Sequence, residues 1–140
     1  MHNKLRYSAA SLFVLAVSLG AQQPGTDPVS ELLFPPELVM ARQNAIGLSD
    51  AQKSYLRAEV AKAQTRFSEL QWQLQDAIEG LAGLLKQPKA DEAQVAAQLD
   101  KVLASEREIK HAQISLLVRI KNNLTEEQQH RLQALRGESR

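Results

Sequence analysis

The 140-residue sequence contains no cysteine, and it is sparing with aromatics, glycine and proline: three Phe, two Tyr, one Trp, six Gly and five Pro. Without cysteine there is no disulfide, no thiol nucleophile and no thiolate metal site. So few turn formers argue against a β-sandwich, and an aromatic content of 4% is low for a sheet protein. Charge of one sign is also missing. Seventeen Lys plus Arg against sixteen Asp plus Glu leave +1, so no basic excess points to nucleic acid. There is no glycine-rich phosphate loop, no G-x-S-x-G, and no sequence-linked acid pair. The expectation is a non-enzyme with no cofactor. What is abundant is Ala, Leu, Val and Ile, which suits an all-α fold.

The chain opens with Lys4 and Arg6, followed by an uncharged, mostly apolar run of 14 residues, Ser8 to Ala21. That is the layout of a secretory signal peptide. The run is shorter than the ~20 residues a spanning helix needs, so removal is expected and no permanent membrane span. Small residues at Ser18 and Gly20 place cleavage near residue 20. The expected division is 1–20 signal peptide, 21–34 flexible exported segment and 35–137 helical domain. Removing Lys4 and Arg6 leaves fifteen cations against sixteen acids, a mature charge of −1. Export from the cytoplasm is expected.

Pro35-Pro36 opens a short first helix, predicted to run to Ile46 and to close at Gly47. Ser49-Asp50-Ala51-Gln52 has the form of a capping box. Behind it, Leu56, Val60, Ala63, Phe67, Leu70, Leu74, Ala77, Leu81 and Leu84 alternate steps of four and three, a seam of period 3.5 that predicts a helix of ~57 Å. Pro88 ends it. Asp91 caps a third helix whose seam reads Val95, Leu99, Val102, Glu106, Ile109, Gln113, Leu116 and Ile120. Thr125-Glu126-Glu127-Gln128 is a second capping box, ahead of a short last helix carrying Leu132 and Leu135. Four helices are expected: one short, two long in an antiparallel hairpin, and one short at the C-terminus.

Leu48-Ser49-Asp50-Ala51-Gln52 and Leu124-Thr125-Glu126-Glu127-Gln128 repeat one signal, L-[ST]-x-x-Q. Behind a signal peptide in a short helical chain, this pair resembles the L-T-x-x-Q motifs of the Spy/CpxP family. The resemblance implies a cradle-like antiparallel homodimer of long helices. It places Ser49 with Gln52 and Thr125 with Gln128 at sharp helix junctions, packed from beneath by Leu48 and Leu124. It also implies an ATP-independent periplasmic chaperone that shields unfolded or misfolded envelope proteins on an amphipathic surface. Trp72 falls on the far side of its helix, and Ile114 and Val118 lie outside the third-helix seam. With Phe34 these are the candidate client or partner surface. Packing of the first helix against Trp72 is the purely structural alternative.

Two further functions attach to the resemblance. Relatives such as ZraP and CnrX respond to metals, yet the mature chain retains only His111, His130 and Met40 as soft ligands. Glu108 with His111, and Glu127 with His130, have the Glu-x-x-His spacing of di-iron bundles. The first pair faces away from the seam and the second straddles a helix start, so both are expected to be solvated. The remaining possibility is an adaptor for the periplasmic domain of a membrane sensor.

Overall fold

The computed structural model describes residues 27–138, and the signal-peptide expectation for residues 1–20 lies outside them. Among the described residues there are five helical segments and no strand: α1 (Pro28–Glu31), α2 (Pro36–Ala41), α3 (Asp50–Leu85), α4 (Glu92–Asn123) and α5 (Glu126–Glu138). The fold class is all-α, and α3 and α4 pack against each other along their length as a hairpin.

Each long helix starts where its cap residue dictates. The Ser49 hydroxyl accepts from the Gln52 N–H at 3.1 Å while the Gln52 side chain accepts from the Ser49 N–H at 3.0 Å. Asp91 accepts from the Gln94 N–H at 3.0 Å to open α4. Both caps satisfy N–H groups that a first helical turn leaves without partners.

The hydrophobic core lies at the open end of the hairpin. There Phe34, Val39, Ile46, Leu48, Leu56, Ala63, Leu116, Ile120, Leu124 and Leu132 form one cluster. Phe34, Leu56, Ile120 and Leu132 are essentially inaccessible, and each contributes about 1.5–3 kcal/mol by leaving water. Farther out only Leu70, Ala77 and Val102 are buried. The closed end is therefore a bare two-helix rod.

Three expectations are corrected. The segment 27–34, expected to be flexible, contains the helical turn α1, with Asp27 capping Val29 N–H at 3.1 Å and Ser30 Oγ at 2.7 Å. It is held from the other side of the chain. Arg136 donates to the carbonyls of Ser30, Glu31 and Leu33, Gln133 donates to Glu31, and Lys121 donates to Leu32. Carbonyls at a helix end lack internal partners, so cationic donors stabilise them well. The first-helix prediction is also too long. α2 stops at Ala41, and hydrogen-bonded turns lead to Gly47, whose φ of +65° is the left-handed conformation glycine tolerates. That reversal lets Ile46 and Leu48 enter the same core.

The third correction concerns the seam of α4. Leu99, expected inside, is exposed, and the polar seam residue Gln113 meets water, whereas Gln98, Ser105 and Ala112 one position earlier are partly covered. The other six seam positions, Val95, Val102, Glu106, Ile109, Leu116 and Ile120, are buried or partly covered, so the predicted seam holds there and widens toward Gln98, Ser105 and Ala112. At the closed end, Gln98 Nε2 donates to the Ala77 carbonyl at 2.8 Å. A Cβ at Gly80 would sit 2.5 Å from that Nε2, so glycine gives the Gln98 side chain its room.

Candidate functional site

The two motifs meet. Gln52 and Gln128 face each other at the junction, and each side-chain amide does the same four things. Gln52 Nε2 donates to Gln128 Oε1 at 2.8 Å and to the Asn123 carbonyl at 2.8 Å. Gln128 Nε2 donates to Gln52 Oε1 at 3.0 Å and to the Gly47 carbonyl at 3.3 Å. Each Oε1 also closes its own capping box, on Ser49 N–H at 3.0 Å and on Thr125 N–H at 2.9 Å. Gly47 lies two residues before Ser49, and Asn123 two before Thr125, so the arrangement has local two-fold symmetry. Both amides use both donors and both acceptor sites, leaving no polar atom of Gln52 or Gln128 unsatisfied. Leu48 and Leu124 are buried beneath the junction.

The hairpin has two unlike faces. On one side, Glu59, Lys62 and Arg66 of α3 oppose Glu108, His111, Ser115 and Arg119 of α4 around a polar cleft of about 480 Å³. Glu59 is 8% exposed, and its carboxylate accepts from Arg119 Nε at 2.7 Å and Lys62 Nζ at 3.1 Å. The Lys62 hydrogen bond, with the charges of Lys62 and Arg119, holds the Glu59 carboxyl below its ordinary value despite the opposing effect of burial. Ala63 and Ala112 line the same cleft, and their short side chains keep it open.

On the opposite side, the proximal half is covered by the N-terminal segment. Val29, Leu33, Pro35 and Pro36 lie over Phe67, Ile114 and Leu117, with Lys110 at the edge. Among the described residues the distal half has no such cover. Leu85 lies about five turns beyond Phe67, and Leu99 about five turns before Leu117, so both continue the same face. Ile78, Leu85, Leu99 and Leu103 are all exposed there, Leu103 at 51%.

The predicted surface residues divide. Trp72 is 69% exposed on the outer side of α3, so α2 does not cover it. Val118 is exposed on α4, and Ile114 stands beside the N-terminal segment. Phe34 is not a surface residue: it is 1% exposed, with the Arg136 guanidinium 5.3 Å above its ring. Its position just before the double proline aims it into the core cluster.

Glu108 and His111 are exposed, as expected, but they stand on the wall of the polar cleft. Glu127 binds Arg131 at 2.5 Å, and His130 is exposed. Among the described residues, no group of three or more His, Cys, Asp or Glu could hold a metal ion. Nor is any of the described helices long and apolar enough to cross a membrane. Sequence reasoning missed Glu59 and Arg119. The available signal was a carboxylate one turn from both Leu56 and Ala63, too near a seam to remain without a partner.

No curated protein and no solved structure matches the chain. A family model described as heavy-metal resistance matches residues 9–131. That family is part of the Spy/CpxP/ZraP-type helical periplasmic superfamily, in keeping with the paired L-[ST]-x-x-Q motifs. The chain belongs to the heavy-metal resistance family.

Proposed function

We propose that the protein is a periplasmic, ATP-independent chaperone that holds unfolded or misfolded envelope proteins against the uncovered apolar face of its hairpin. One observation carries this reading: Ile78, Leu85, Leu99 and Leu103 are exposed along the distal half of the hairpin, while the charged residues gather in the cleft beside its proximal half. A run of exposed large apolar side chains on a two-helix rod is costly in water unless it meets a partner. A holdase requires only that, with no catalytic group. A second copy can share the same face, which makes an antiparallel homodimer the resting form, with clients taking the remaining apolar area.

The purified protein is expected to suppress aggregation of an unfolding substrate at near-stoichiometric ratios. Leu103→Lys should weaken suppression, and Trp72→Ala should weaken it if clients also reach the outer side of α3. No suppression at several-fold excess would overturn the reading and put a non-chaperone adaptor of a membrane sensor's periplasmic domain ahead.

A second reading, metal sensing or metal binding, is favoured by the family match. Titration with zinc, copper or nickel tests it. Micromolar binding that is lost in His111→Ala or His130→Ala would establish it in place of the chaperone.

A further inference from the structure

The residues of the polar cleft do not suit a divalent cation. Both oxygens of Glu59 are already engaged, one by Arg119 and one by Lys62, so a cation would have to displace two positive groups to reach them. Glu108 and His111 stand one turn apart on α4 with no third ligand of their kind grouped with them among the described residues. The lining instead carries three cations, Lys62, Arg66 and Arg119, against the two carboxylates Glu59 and Glu108; Arg66 also meets Glu69 at 3.3 Å through Nη1 alone. Arg119 is bound to Glu59 through Nε, which leaves its Nη1 and Nη2 groups as a pair of parallel donors of the kind that grips oxyanions. Ser115 and His111 add further side-chain donors on the same wall. The volume, about 480 Å³, lies within the range of small-ligand sites.

We propose that this cleft binds a tetrahedral oxyanion of the phosphate, arsenate or chromate class, held by Arg119, Arg66 and Lys62. Glu59 is a positioning residue: buried between the helices, it fixes the plane of the Arg119 guanidinium and the reach of Lys62. The heavy metal that such a protein meets would then be an oxyanion, not a free cation. This inference stands apart from the chaperone reading, because it uses the opposite face of the hairpin.

Calorimetric titration of the purified protein at low ionic strength tests it, with phosphate, arsenate and chromate as probes and zinc as the comparison. Saturable binding of one oxyanion per chain is expected. Arg66→Gln, an exposed substitution that leaves the core untouched, should weaken it several-fold. Arg119→Lys keeps the charge beside Glu59 but loses the fork, and should weaken it by about ten-fold or more. Arsenate or chromate binding more tightly than phosphate assigns the site to metal oxyanions, whereas equal affinity assigns it to phosphate chemistry in general. The proposal fails if no oxyanion binds saturably, if both variants bind as the parent does, or if zinc alone binds. A holdase assay on the same samples is a separate readout, so loss of one activity is distinguishable from loss of the other.

Discussion

Gln52 and Gln128, 76 residues apart in sequence, hold each other's side-chain amides at 2.8 and 3.0 Å and thereby tie the starts of α3 and α5 together. Neither glutamine is replaceable by the other's redundancy, because each closes its own box and also caps the carbonyl ahead of the other box. Gln128→Ala should therefore cost about 2–3 kcal/mol in chemical denaturation, since it orphans the Thr125 N–H, the Gly47 carbonyl and part of Gln52. Combining it with Gln52→Ala should cost less than the sum of the two single changes. Strict additivity would mean that the pair is not coupled.

Glu59 gives stability a pH dependence of definite sign. Its carboxyl titrates below its unfolded value, because Lys62 and Arg119 favour the charged form. The stabilisation is then fully present above the unfolded glutamate range, near pH 4.3, and is lost as pH falls through the lower folded value. Thermal melts of the parent and of Glu59→Gln should differ at pH 7 and converge under acid. A gap that persists unchanged well below pH 4 would contradict this account.

The two interior glycines of α3 should respond differently to alanine. Gly83 has open space where a Cβ would go, so Gly83→Ala should stabilise by about 0.5–1 kcal/mol through helix propensity. Gly80→Ala must move the Gln98 amide off the Ala77 carbonyl, which offsets most of that gain. Denaturation of the two single variants decides the order.

Arg136 binds three carbonyls of the N-terminal segment and covers the Phe34 ring. Arg136→Ala should cost about 1–3 kcal/mol. Hydrogen exchange should quicken first at the Leu32 and Leu33 amides, which bond within α1 and its exit turn. Exchange that quickens uniformly along the chain would show that the segment and the hairpin open together.

Trp72 and Phe34 show where reading the sequence succeeded and where it did not. Heptad position alone put Trp72 on the far side of its helix, and it is exposed. Phe34 lies outside any periodic segment, so no pattern fixed its direction; Arg136 and the core decide it. The α4 seam departs from its pattern at two positions, Leu99 and Gln113. Val95, Val102, Ile109, Leu116 and Ile120 keep their predicted side, whereas steps of three as well as four let Gln98 and Ala112 take the cover that Leu99 and Gln113 lack.

Local chemistry, which acts within one or two turns, was therefore settled by the sequence: the capping boxes at Ser49 and Thr125, the left-handed turn at Gly47, the start of α4 at Asp91 and the all-α class. The tertiary structure alone decided the contacts between distant segments. These are the Gln52 and Gln128 amide pair, the burial of Glu59 between two cations, the carbonyl clamp on residues 30–33, and the cover of Gln98 in place of Leu99. Such pairings depend on the rotation of one helix against another. A difference of one residue, about 100°, moves a side chain from seam to solvent without altering the periodicity that predicted the helix.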